Sequence, residues 1–439
     1  MVYLFQRLVL GVLLIAVLLP WSAPAFISFE EPPIDYSKTE PTDPISQLAK
    51  RIENSEVELE YDSDKGYLPS ILKLLSIPVS SQALVFSKTS FQAPYISREK
   101  PRALYFNDDV YIGWVQNGDV VEISSVDPDL GAVFYILDQN PGIEPKFQRQ
   151  TDACLQCHSS PLTQSVPGHL FRSVFTDSNG NPILNAGTFV TTQNSPMRER
   201  WGGWYVTGRH GDQRHMGNVF LAHGNNPLDL PVEQGANVTK LDTLIDTSPY
   251  LSPHSDLVAL MVFEHQTTMH NLITQANYQA RVALAIQEEL NEMEGKPSDE
   301  MSPGTLKRFS YAAEPLLKHL LFAEEATLEG PVKGTSGFAD EFQSVGPRDS
   351  KGRSLRDFDL RTRMFKHPCS FLIYSESFDH LPDPFRGYLY RRLWEILTDK
   401  EAPSEDNRLS KSDRRAVLEI LLETKLGLPD YWKEITPFN

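Results

Sequence analysis

The segment Cys154-Leu155-Gln156-Cys157-His158 constrains this chain more than any other. Two cysteines three residues apart fit one helical turn that projects both sulfurs from a single face. Sulfurs placed in this way can reach the two vinyl groups along one edge of a porphyrin. The histidine directly after them can then swing beneath the ring and offer an imidazole nitrogen to its iron. The spacing is the attachment signature of a covalent haem. Three cysteines and eleven histidines in 439 residues make a chance match rare, roughly 1 in 3,000 by composition.

The first 25 residues meet a requirement of that chemistry. Met1–Arg7 carries one positive charge, Leu8–Trp21 is almost wholly apolar, and Ala23-Pro24-Ala25 reads as a cleavage site. This three-part layout is that of a secretory signal peptide, and haem is joined to such a motif after export. The expected location is periplasmic or extracellular. The apolar run has 14 residues, short of the ~20 that span a bilayer; an uncleaved N-terminal anchor is the alternative. A net charge of −17 excludes nucleic acid and anionic membrane surfaces as natural partners. It suits a redox partner protein with a basic face, or simply confers solubility. Three cysteines make no disulfide framework: with two on haem, Cys369 is left as a buried apolar side chain.

Periodicity divides the remainder. Residues 26–66 read as an extended, proline-rich, acidic leader followed by a short helix over Ser46–Leu59. A β-rich domain over 67–250 shows runs at Ala83–Ser87, Ala103–Phe106, Val110–Val115, Val120–Ser125 and Ala132–Leu137, separated by turn chemistry such as Asn117-Gly118. Leu170–Phe175 with Ile183–Thr192, and Trp204–Thr207 with Gly217–Ala222, read as further hairpins. The haem motif thus sits on a helical insertion between strands. From Ser252 the period becomes helical, with helices to Glu294 and over Leu306–Leu328, Phe385–Thr398 and Ser410–Lys425; Pro331–Leu360 reads as a surface excursion. The fold class is α+β: a β-rich haem-bearing half, then a mainly helical domain over 251–439.

The motif resembles that of c-type cytochromes. The resemblance covers five residues, and it implies Cys154 and Cys157 as thioether anchors and His158 as proximal iron ligand for one covalent haem c. The strands around the motif depart from small soluble cytochromes c, which are helical. Two other uses of the motif are weaker. A structural zinc site lacks its second cysteine pair, and a thioredoxin-like redox pair lacks a preceding strand.

The sixth iron ligand decides between electron transfer and ligand chemistry. Met216 or His215 is the first choice, because two donors stand side by side in the glycine- and aromatic-rich stretch Trp201–Asn218. His265 on the long helix is the second, and Met197, His169, His210, His254, Met269 and His270 complete the field. Arg172, Arg209 and Arg214 could fork haem propionates. Two functions follow. One is an exported monohaem electron carrier; the other is a haem-based sensor or haem enzyme with an open sixth position. No catalytic residue is named by the sequence.

Overall fold

The computed structural model describes residues 28–222, 226–398 and 409–434; the signal-peptide segment 1–25 lies outside them. The helices are α1 (Pro44–Glu53), α2 (Leu68–Leu74), α3 (Leu155–His158), α4 (Leu257–Glu294), α5 (Pro303–Leu320), α6 (Phe338–Ser344), α7 (Glu376–Asp379), α8 (Asp383–Leu397) and α9 (Lys411–Thr424). The strands are β1 (Ala83–Val85), β2 (Arg102–Phe106), β3 (Val110–Trp114), β4 (Val120–Asp127), β5 (Gly131–Asp138), β6 (Gln148–Arg149), β7 (Arg172–Val174), β8 (Thr188–Val190) and β9 (Trp204–Tyr205). Seven strands form one antiparallel sheet in the order β6-β5-β4-β3-β2-β1-β9, and β7 and β8 form a separate ribbon. The fold is α+β, strands first and most helices after.

Local chemistry explains the meander. Asn107 turns β2 into β3 by accepting from the amides of Asp109 and Val110 (3.1 and 2.9 Å). Asn117, with φ of 60°, reverses the chain between β3 and β4, a conformation asparagine tolerates. Asp127 closes the next turn through the amides of Asp129 and Leu130, both at 2.9 Å.

Alternation along the strands gives the sheet two buried faces. Leu84, Tyr105, Ile112 and Val121 face one core, where they meet Ile34, Tyr36, Leu48 and Ile71. Val85, Leu104, Phe106 and Tyr111 face the other, where α4 lies across them with α5, α8 and α9 packed behind. Asp256 starts α4 by capping the amides of Val258 and Ala259 (2.8 and 3.1 Å), and Gly295 ends it in the left-handed region. Because α4 is covered by the sheet and by helices, most of its first six turns are buried.

Three expectations change. The leader is packed: Ile34 and Tyr36 are buried, and Tyr36 Oη donates to the Ala132 carbonyl at 2.8 Å. Trp204–Tyr205 pairs not with Gly217–Ala222 but with β1, far upstream, in register Leu84 to Tyr205. The Asn218 side-chain amide instead takes both hydrogen bonds of Val206, at 2.7 and 2.8 Å, where a second strand would have stood. Finally, the excursion 331–360 carries α6, whose Phe338 and Phe342 are buried against α4.

Candidate haem site

The motif folds as its spacing requires. Cys154 precedes the single turn α3, and its carbonyl accepts from the amides of Cys157 and His158 (3.2 and 3.0 Å). Leu155 points the other way and is buried, which anchors the turn to the body of the protein. Cys154, Cys157 and His158 line one cleft of about 250 Å³ on the α4 side of the sheet. Its walls are apolar on one side, with Leu104, Phe171, Trp204 and Phe263, and charged on another, with Arg102, Glu122 and Arg172.

The His158 ring is oriented from behind. Its Nδ1 lies 2.9 Å from the Gly168 carbonyl; a carbonyl only accepts, so Nδ1 carries the proton and Nε2 keeps its lone pair. The Phe134 ring packs against it at 4.8 Å between centroids. Burial lowers the His158 pKa below the usual histidine value, keeping the imidazole in the neutral form a metal needs. Gly168 is itself held by α4. The Asn271 amide accepts from the His169 amide and donates to the His169 carbonyl, both at 2.7 Å. A Cβ on residue 168 would stand 2.4 Å from Asn271 Oδ1, so glycine is required for this approach.

The Cys154 thiol is protonated at neutral pH. Burial, with Glu122 nearby, pushes Cys154 up to about 11. That is opposite to the lowered value of a redox-active or nucleophilic cysteine pair. Among the described residues no group of three or more His, Cys, Asp or Glu side chains converges as a metal cage.

Of the sequence candidates for the sixth ligand, His169 lines this cleft and the others do not. His169 follows the Gly168 carbonyl that backs the His158 ring, and its own ring is already engaged. Its Nε2 meets Ser124 Oγ at 2.9 Å, and its ring lies 4.4 Å from Tyr111. Met216 is buried beside Gly202, with Sδ 3.7 Å from Ser173 Oγ. His215 accepts from the Gly217 amide at 3.0 Å and packs on Trp201 and His210. His265 spends both ring nitrogens, on Gln193 Oε1 at 2.5 Å and Ser370 Oγ at 2.8 Å. These three belong to the packing of α4 and the 193–218 segment, which is why donors so close in sequence to one another do not reach the cleft. Cys369 is wholly buried in the helical core, as expected.

Sequence reading missed Arg102 and Glu122, which lie in the cleft beside Cys154 and form an ion pair. A signal existed in Val110-Tyr111-Ile112-Gly113-Trp114, because glycine inside a strand marks a close approach. Comparisons with protein-family models, curated proteins and solved structures found no match.

Proposed function

We propose that this chain is an exported monohaem protein of the c type, carrying electrons to or from a redox partner. Cys154 and Cys157 would hold the porphyrin through thioethers and His158 would ligate its iron. The observation that carries this reading is the Gly168 carbonyl on His158 Nδ1, in a cleft that both cysteines line. A ligating histidine needs that second hydrogen bond to fix its tautomer and aim. Bound there, a haem supplies one-electron Fe(III)/Fe(II) chemistry. The chain's own residues do the rest. Asn271 fixes the Gly168–His169 peptide, Phe134 holds the imidazole plane, and Phe171, Trp204 and Phe263 exclude water from one wall. Cys157 is exposed, so the attachment edge lies open to a partner.

The signal-peptide pattern of residues 1–25 supports periplasmic or extracellular export. Among the described residues no helix is long and apolar enough to cross a membrane. The acidic net charge suits a basic redox partner. A second reading, a haem-based sensor or enzyme with an open sixth position, is favoured by one observation: Met216, His215 and His265 are all engaged away from the cleft.

Expression in a host with working cytochrome maturation tests the proposal. The denatured protein should keep one haem by mass and colour, and Cys154→Ala with Cys157→Ala should lose it entirely. Colourless wild-type protein would refute the reading. A low-spin ferric spectrum would favour the electron carrier, and a high-spin one the open site.

A further inference from the structure

Two guanidinium groups in the cleft each lack one partner. Arg102 lies flat over β3 at Gly113, where a Cβ would stand 2.5 Å from a terminal nitrogen and 2.7 Å from Nε. Glycine makes room for the planar group in mid-strand. Glu122, the register partner of Gly113 on β4, takes one terminal nitrogen in an ion pair. Glu122 is in turn fixed by Ser90 Oγ at 2.5 Å and Gln92 Nε2 at 3.1 Å. With all this support, Arg102 Nε stays buried and unpartnered. Arg172, on the β7–β8 ribbon, repeats the pattern: a terminal nitrogen donates to Thr188 Oγ1 at 3.1 Å, and Nε is buried and unpartnered.

A buried N–H without an acceptor is destabilising, and both arginines line the cleft that holds the cysteine–histidine turn. The edge formed by Nε and a terminal nitrogen matches a planar carboxylate in bidentate fashion. Arg214, by contrast, already spends its Nε on Glu233 at 2.8 Å, and Arg209 does not line the cleft. We propose that Arg102 and Arg172 are the carboxylate-binding residues of this cleft. Resting on the haem reading, their ligands are the two propionates of the porphyrin, one for each arginine. Glu122 and Gly113 act on Arg102 and position it.

The test uses the full chain with Cys154→Ala and Cys157→Ala, so that porphyrin binding becomes a reversible equilibrium. Haem is compared with its dimethyl ester, which keeps the iron and the ring and removes both carboxylates. The parent should bind the acid more tightly by about 10-fold or more, the scale of one or two charge-assisted hydrogen bonds. Adding Arg102→Gln and Arg172→Gln should bring the acid-to-ester ratio to about one. Arg172→Gln alone, which spares the buried Glu122 pair, should remove part of the preference, and Arg172→Lys should restore some of it. An acid preference that persists in the double variant, or equal binding of acid and ester by the parent, overturns the assignment. Failure of the parent to bind either form overturns the assignment of the arginines, whereas colourless unaltered chain overturns the haem reading itself.

Discussion

Two buried polar clusters touch α4, and they differ in how completely their arginine and histidine nitrogens are used. Around Glu264 and His265 the arginine and histidine nitrogens are spent on the chain itself, although Glu264 Oε1 and Trp201 Nε1 keep no partner. Arg200 gives Nε to the Ser195 carbonyl (2.8 Å), one terminal nitrogen to Glu264 (2.8 Å) and the other to the Gln193 carbonyl (3.1 Å). His265 engages both ring nitrogens. Around the cleft the same residue types hold something back: Arg102 and Arg172 keep a buried N–H, and His158 uses Nδ1 and leaves Nε2 for a ligand. The closed cluster fastens the 193–200 loop and Ser370 to the helix. The open one keeps these nitrogens unspent. Histidine and arginine counts cannot separate the two roles, whereas the completeness of their partners does.

The largest expected effect strikes buried histidines of both regions together. Burial lowers His215 to about 3, and His270 and His319 to about 4. Unfolded histidines titrate near 6.5. Between about pH 6.5 and 4 the unfolded chain therefore binds protons that the folded chain refuses. Stability is complete above that window and is lost as pH falls, by up to about 1.4 kcal/mol per pH unit for each ring. Urea midpoints measured from pH 7 to 5 should show this decline, and His319→Gln should make it shallower by roughly a third of the three-ring slope. An unchanged slope would mean that His319 of the closed cluster is not shielded from solvent.

Breaking the closed cluster comes next. Glu264→Ala removes the ion-pair partner of the buried Arg200 guanidinium and should cost about 3–5 kcal/mol in urea unfolding. Arg172→Ala in the open cluster should cost under about 1 kcal/mol. Similar losses for the two would erase the distinction. The smallest effect sharpens it: Gly113→Ala should displace the Arg102 guanidinium at a cost of about 1 kcal/mol. It should lower the preference for haem over its ester while leaving ester binding intact. A variant that loses stability and keeps the full preference would separate Gly113 from Arg102.

What was legible in the sequence was local. The Asn117 turn, the alternation of β2 to β5, the long helix after Ser252 and the single turn bearing the cysteines all declare themselves within a few residues. What was not legible joins distant segments. The pairing of Leu84 with Tyr205 leaves no periodic trace, nor does the docking of Tyr36 on Ala132. Met216 and His215 look like ligands because they are adjacent donors among aromatics, yet that adjacency serves the packing against Trp201 and Gly202. The charged wall of the cleft was hidden for the same reason, since Arg102 and Glu122 meet only when β2, β3 and β4 align.

The Asn271 clamp on the Gly168–His169 peptide has a consequence in time. Its side chain arrives 102 residues after the backbone it grips, and a chain is made and exported from its N-terminus. On the haem reading, both sulfurs are available for attachment well before the residue that aims the histidine exists. On that reading the prosthetic group would be tethered to an unfinished protein, and the later arrival of α4 would set the histidine's aim on a cargo already aboard.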